Sequence, residues 1–186
     1  MNSIIPPLGF ESSEFVVRTE RAQRLMKETD LDALLLTTEP EVRYFSGFHT
    51  SFWLSPTRPW FLIVPREGKP IAVIPEIGKA RMADTWLDEI ITWPAPRPSD
   101  EGITELTKTL NGLTKRSGII GLPMGTETHL RMPFSDFKKL QENNIDVIIF
   151  TTPLHQHAIE QIPLEKKTNF LKILDKIKNA NEIKIY

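Results

Sequence analysis

A hydrolytic metal centre requires histidine and carboxylate side chains that converge on one point. The chain has four histidines, at positions 49, 129, 155 and 157. His155 and His157 form a His-x-His motif, which on a strand would place both rings on one face. No carboxylate motif accompanies them and Pro153 precedes them, so a polar loop is the favoured interpretation. The sequence therefore assigns no metal ligand and no catalytic residue.

Other signatures of catalysis are also missing from the sequence. Gly118, Gly121 and Gly125 lack the spacing of a dinucleotide fingerprint, and no Gly-Lys-Ser or Gly-Lys-Thr follows them. There is no Gly-x-Ser-x-Gly nucleophile elbow. The absence of cysteine excludes disulfides, thiolate metal sites and a cysteine nucleophile. We expect no self-contained active site in this chain.

The segment His49–Trp60 is the strongest candidate for molecular recognition. It places three aromatic rings, one arginine and one histidine in a short connection. An arginine can clamp a carboxylate while a ring covers an apolar group, and tryptophan with arginine is common in binding hot spots. Alternatively, the rings fill the edge of the sheet and a dimer contact, and the two readings carry equal weight. The candidate substrate-lining residues are His49, Phe52, Trp53 and Arg58.

Composition describes an ordinary globular protein of 186 residues with a formal net charge of −1. Its 23 basic and 24 acidic side chains form no long blocks. Nucleic acid and anionic membrane are therefore not expected as partners, because both require a clustered positive field. The sequence shows no signal peptide, and no apolar run approaches the ~20 residues of a membrane helix. Together with the missing cysteines, this favours a cytoplasmic location.

Hydrophobic patterning predicts helices that alternate with strands, plus one hairpin. Helices are expected at Ser12–Asp30, Pro40–Phe45, Ile77–Leu87, from Ser99–Glu101 to Leu113, and at Pro133–Asn144. Strands are expected at Leu31–Thr37, Trp60–Pro65, Pro70–Pro75, Ile90–Trp93, Gly118–Leu122 and Asp146–Phe150. Such an order predicts one three-layer α/β domain with a mixed central sheet.

The last part of the chain has a helical pattern of its own. From about Pro163 to Tyr186, apolar residues recur on one face of an amphipathic helix, with no stop signal before the last residue. We therefore expect a domain over residues 1–162, followed by a helix over 163–186 that leads into a further, absent domain.

Several segments together resemble the N-terminal domain of the creatinase/prolidase family. They are the run Leu31–Thr37, the following Glu41–Phe48, the hairpin Trp60–Pro75, and the segment Lys176–Ile185. The last one resembles the linker helix that leads into the pita-bread domain of creatinases, prolidases and Xaa-Pro aminopeptidases. The resemblance covers essentially the whole chain, and the order and spacing of its motifs are more specific than each motif alone.

The resemblance implies a three-layer α/β/α domain with a mixed sheet and a ribonuclease-H-like shape. In this family, two divalent metal ions (Mn, Co or Zn) are held by two Asp, one His and two Glu of the downstream catalytic domain. No position of this chain matches that ligand set, so no cofactor is expected in it. Its implied partners are its own catalytic domain, a second subunit in a homodimer, and a small peptide or small-molecule substrate.

The resemblance also implies a function for the segment after Arg43-Tyr44-x-x-Gly47. In creatinase-like members an aromatic residue and an arginine from this loop contact the substrate bound by the partner subunit. The matching positions are Trp53 or Phe52, and Arg58. The expected function is thus a non-catalytic domain of an Xaa-Pro peptidase-like metallohydrolase, which supports dimerisation and covers the active site. The alternatives are a creatinase-like amidinohydrolase, a small-molecule lyase, a stand-alone dimerising binding module, and a small hydrolase that uses His155 and His157.

Overall fold

The structure is a computed structural model. It describes residues 9–55, 58–114, 118–124, 129–143, 145–150, 163–168, 172 and 184–185. His155 and His157 lie outside the described residues, as does most of the predicted linker helix. None of the helices in the described part of the chain is long and apolar enough to cross a membrane.

The described residues form a seven-stranded mixed sheet in the order β4-β3-β2-β1-β5-β6-β7. The strands are β1 (Ala33–Leu36), β2 (Phe61–Pro65), β3 (Ile71–Pro75), β4 (Glu89–Trp93), β5 (Ile119–Pro123), β6 (Asp146–Phe150) and β7 (Lys184–Ile185). Strand β2 is antiparallel to both of its neighbours, whereas every other pair of neighbours is parallel. The ends of β1, β3, β4, β5 and β6 therefore meet the start of β2 at one edge. The predicted mixed sheet is confirmed.

Helices cover both faces of this sheet. They are α1 (Ser12–Glu28), α2 (Glu39–Ser46), α3 (Lys79–Ala83), α4 (Ile103–Leu113) and α5 (Phe134–Glu142). One apolar cluster joins the sheet to α4 and α5, and a second joins it to α1, α2 and α3. Successive residues of β2 alternate between the two clusters, as the period of a strand requires. The three-layer α/β/α architecture is confirmed.

Local sequence signals explain where α2 and the β2–β3 hairpin begin and end. Glu41 Oε2 accepts a hydrogen bond from the backbone N–H of Thr38 at 3.2 Å, which caps the start of α2. Gly47 has a φ of 74° and ends the helix, as predicted. Gly68 has a φ of 89° in the hairpin turn, and its carbonyl accepts a 2.7 Å hydrogen bond from Gln23 of α1.

Two predicted helices differ from the structure. Helix α3 spans only Lys79–Ala83 and follows a 3₁₀ turn at Glu76–Gly78, so it is shorter than the predicted Ile77–Leu87. The prediction of one helix from Pro163 to Tyr186 is wrong at its end. Residues 164–168 and 172 are helical, but Lys184–Ile185 form β7, parallel to β6. The physical reason is that β6 would otherwise present an open edge, and pairing with Lys184–Ile185 satisfies backbone groups along that edge.

Candidate functional site

A cavity of about 630 Å³ opens where the strand ends meet. Arg58 and Pro59 lead into β2 on one side of it, residues 98–101 follow β4, and residues 129–133 precede α5. Ligands of open α/β sheets bind in the crevice beyond the carboxyl ends of the strands. The side chains that line the cavity further include those of Ser135, Asp136 and Lys139.

The carboxylates around this cavity are already engaged. Asp100 lies 3.1 Å from the guanidinium of Arg97, and Asp136 lies 2.9 Å from the ammonium of Lys139. Burial opposes ionisation of Asp100, but hydrogen bonds from Thr104 and the charge of Arg97 outweigh it and lower the pKa of this carboxyl. The acidic side chains therefore offer little free negative charge to a bound cation.

Arg58 is half-buried and lines the cavity. Among the residues that the structure describes, none makes a hydrogen bond or an ion pair with its guanidinium. Its backbone carbonyl is engaged, because it accepts a 2.8 Å hydrogen bond from Arg131 Nη1. Arg58 is thus held at the cavity through its backbone carbonyl.

Arg131 is the residue that the sequence interpretation missed. Its guanidinium donates to the carbonyls of Arg58, Ser55 and Trp53, and it lies 5.1 Å from the centre of the Trp53 ring. Its backbone N–H donates to Thr37 Oγ1 at 3.1 Å, just after β1. No sequence signal could have found it, because these partners are more than 70 residues away and all but Thr37 take part through their backbone or ring.

The aromatic residues of the segment form a cluster around Trp60. Trp53, in a 3₁₀ turn at Ser51–Leu54, is only 8% exposed and its ring lies 5.7 Å from that of Trp60. Phe52 stacks on Trp60 at 6.4 Å but is 41% exposed. Leu54, which was not predicted, is 87% exposed. Trp53 and Trp60 thus belong to the core of the domain, whereas Phe52 and Leu54 are presented outward.

The described histidines are His49 and His129. His49 is exposed, and its Nδ1 lies 3.2 Å from Glu39 Oε1 at the start of α2. His129 is exposed at the rim of the cavity. Within the described residues, no group of three histidine or acidic side chains is arranged to hold a metal ion.

The geometry thus defines an α/β/α domain with a cavity at the carboxyl edge of its mixed sheet. The family model described as the creatinase/prolidase N-terminal domain matches residues 18–157 of the chain. That match covers most of the chain, including every strand except β7. The chain therefore belongs to the creatinase/prolidase N-terminal domain family. No curated protein matches its sequence.

Solved structures with the same fold include a separate N-terminal domain and a longer dipeptidase chain. A proline dipeptidase structure from Streptococcus agalactiae has a TM-score of 0.56 and 14% identity, and the match covers 80% of this chain and 99% of that one. The N-terminal domain of an X-Pro dipeptidase from Streptococcus pyogenes has a TM-score of 0.53 and 12% identity. That match covers 73% of this chain and 92% of the other.

Dipeptidase PepE from Mycobacterium ulcerans has a TM-score of 0.54 and 16% identity, and the match covers 71% of this chain but 34% of that one. The chain thus corresponds to about a third of that dipeptidase. At these identities the likeness shows the fold alone.

Proposed function

We propose that this chain is the non-catalytic N-terminal domain of a dinuclear-metal hydrolase of the Xaa-Pro peptidase type. The observation that carries the proposal is the family match over residues 18–157. The extent of the structural matches supports it. The match covers 92% of the Streptococcus pyogenes N-terminal domain, but only 34% of the Mycobacterium ulcerans dipeptidase chain. On this proposal the two divalent ions (Mn, Co or Zn) and the catalytic residues belong to the other part of the enzyme.

The domain's part in that enzyme is to support a homodimer and to cover and shape an active site. Its partners are its own catalytic domain, a second subunit, and a small peptide or small-molecule substrate in the cytoplasm. Support comes from the edge of the sheet, where Phe52 offers an exposed ring and Arg58 a guanidinium with no partner among the described residues. In this function Arg58 binds an anionic group of the substrate, Phe52 covers an apolar one, and His49 is a further lining residue. Phe52 stacks on Trp60, and Trp53 packs against Trp60 within the core.

Substitution of Arg58 tests this assignment in the enzyme that joins this domain to its catalytic half. Arg58→Ala removes a charged hydrogen bond worth ~1.5–3 kcal/mol, so KM for an anionic substrate should rise at least about tenfold. The matched control is Arg81→Ala, which removes an exposed arginine of α3 that does not line the cavity. Its KM should equal that of the unsubstituted enzyme. An unchanged KM for Arg58→Ala would remove Arg58 from the site.

A further inference from the structure

Three backbone carbonyls close together in sequence converge on one side chain. The recognition turn, defined here as residues 51–55 together with Arg58, presents the carbonyls of Trp53, Ser55 and Arg58 to the guanidinium of Arg131. The distances are 3.4 Å from Nη2 to the Trp53 oxygen and 2.8 Å from Nη1 to the Arg58 oxygen. The guanidinium also covers the Trp53 ring.

The contacts of Arg131 connect this turn to the rigid part of the domain. Its backbone N–H donates to Thr37 Oγ1, at the end of β1 in the middle of the sheet. Burial lowers the pKa of Arg131, while the charge of Glu39 opposes that shift. Among the described residues, no carboxylate lies within salt-bridge distance of Arg131. Its side-chain donors therefore bind the carbonyls of the turn.

A guanidinium suits this arrangement better than an ammonium does. It is planar, presents its donors in a fixed fork, and can stack on an aromatic face. A lysine would bring the charge, but it could not hold the Ser55 and Arg58 carbonyls through two separate nitrogens while covering the Trp53 ring. The chemistry of the contacts thus requires an arginine at this position.

We propose that Arg131 is the positioning residue of the recognition turn. By fixing the carbonyls of the turn it holds Phe52 and Leu54 outward and Arg58 at the mouth of the cavity, so the turn is ordered before it meets a ligand. Preorganisation of this kind increases affinity because less ordering is left to occur on binding. The claim that the turn is held in place concerns this chain alone, whereas its effect on substrate affinity rests on the proposed function.

Amide hydrogen exchange of the 186-residue chain tests the positioning directly. The Ser55 amide donates to the Phe52 carbonyl inside the turn, so it reports whether the turn stays closed. Arg131→Met keeps the length of the side chain and removes all its donors. We expect exchange at Ser55 to become about tenfold faster or more, with no comparable change in β2 or α4. In Arg131→Lys the Ser55 amide should exchange nearly as fast as in Arg131→Met, because lysine lacks the fork of donors that a guanidinium presents.

A second arginine provides the matched control. Arg97 donates to Glu105 and to the Asp100 carbonyl near the same edge of the sheet, and it does not contact the turn. Arg97→Met should lower the unfolding temperature but leave exchange at Ser55 unchanged. Unaltered Ser55 exchange in Arg131→Met, or full protection in Arg131→Lys, would overturn the proposal. If Arg131→Met fails to fold by circular dichroism, the comparison of Arg131→Lys with the unsubstituted chain decides.

Steady-state kinetics of the enzyme that contains this domain separate this inference from the proposed function. We expect Arg131→Met to raise KM for an anionic substrate with kcat unchanged, in parallel with Arg58→Ala. If Arg58→Ala raises KM and Arg131→Met does not, the effect of Arg131 on substrate affinity is refuted and the proposed function stands. If neither substitution changes KM although Ser55 exchange accelerates, the proposed function fails and the positioning stands.

Discussion

Gly102 combines a left-handed backbone conformation with a close approach to a buried ring. It precedes α4 with a φ of 87°, a conformation that residues with a Cβ rarely adopt. A Cβ at this position would lie 2.5 Å from two ring atoms of Trp93. The Trp93 ring is fully buried, and its N–H donates to Glu101 at 3.1 Å, so it cannot move aside freely.

The cost of Gly102→Ala can be worked from these two features. The left-handed conformation costs a residue with a Cβ about 1–2 kcal/mol. Displacing packed core atoms costs about 1–3 kcal/mol more. Gly102→Ala should therefore lower the free energy of unfolding by about 2–5 kcal/mol.

Gly112→Ala is the matched control, because it makes the same chemical change inside α4. A Cβ at Gly112 would meet no atom within 4 Å, and its φ is not in the left-handed region. It should raise the free energy of unfolding by about 0.4–1 kcal/mol. Urea denaturation followed by circular dichroism measures both variants. A Gly102→Ala chain as stable as the unsubstituted one, or a Gly112→Ala chain less stable than it, would refute the reasoning.

Two further predictions concern the elements around the cavity. Because the pKa of Asp100 is lowered in the folded chain, its ionised carboxylate stabilises the fold at pH values above the ordinary pKa of 3.8. This contribution is lost as the pH falls through the lowered pKa of the folded state. Asp100→Asn should therefore destabilise the chain at neutral pH and flatten its loss of stability below about pH 4, measured by urea denaturation across pH. Leu106 is fully buried in α4, so Leu106→Ala should lower the free energy of unfolding by about 2–5 kcal/mol. The surface variant Lys108→Ala should change it by no more than about 0.5 kcal/mol.

The sequence predicted the elements whose signals are local. The β2–β3 hairpin has Gly68 in its turn, α2 has Gly47 at its end, and α4 has an apolar stripe that matches its buried face. Strand β7 could not be predicted in this way. The segment is compatible with a helix, and only the open edge of β6 converts its end into a strand.

The candidate site could be predicted only in part, because residue types are visible in the sequence and contacts between distant segments are not. Residue types drew attention to the segment around Phe52 and Arg58. The structure places Arg58 in the lining of the cavity and Phe52 against Trp60, just before β2. The sequence did not reveal that Trp53 is buried against Trp60, or that Arg131 holds the turn. Both depend on contacts between distant segments, and Arg131 bonds to backbone carbonyls, which every residue possesses.

The central claim is that the chemistry of the enzyme lies outside this chain. Elemental analysis of the purified and dialysed chain, run beside an Xaa-Pro dipeptide cleavage assay with added Mn²⁺, tests it most directly. We expect no bound metal and no turnover. Metal near one equivalent, or measurable cleavage, would contradict it, and His155 and His157 would be the first residues to substitute.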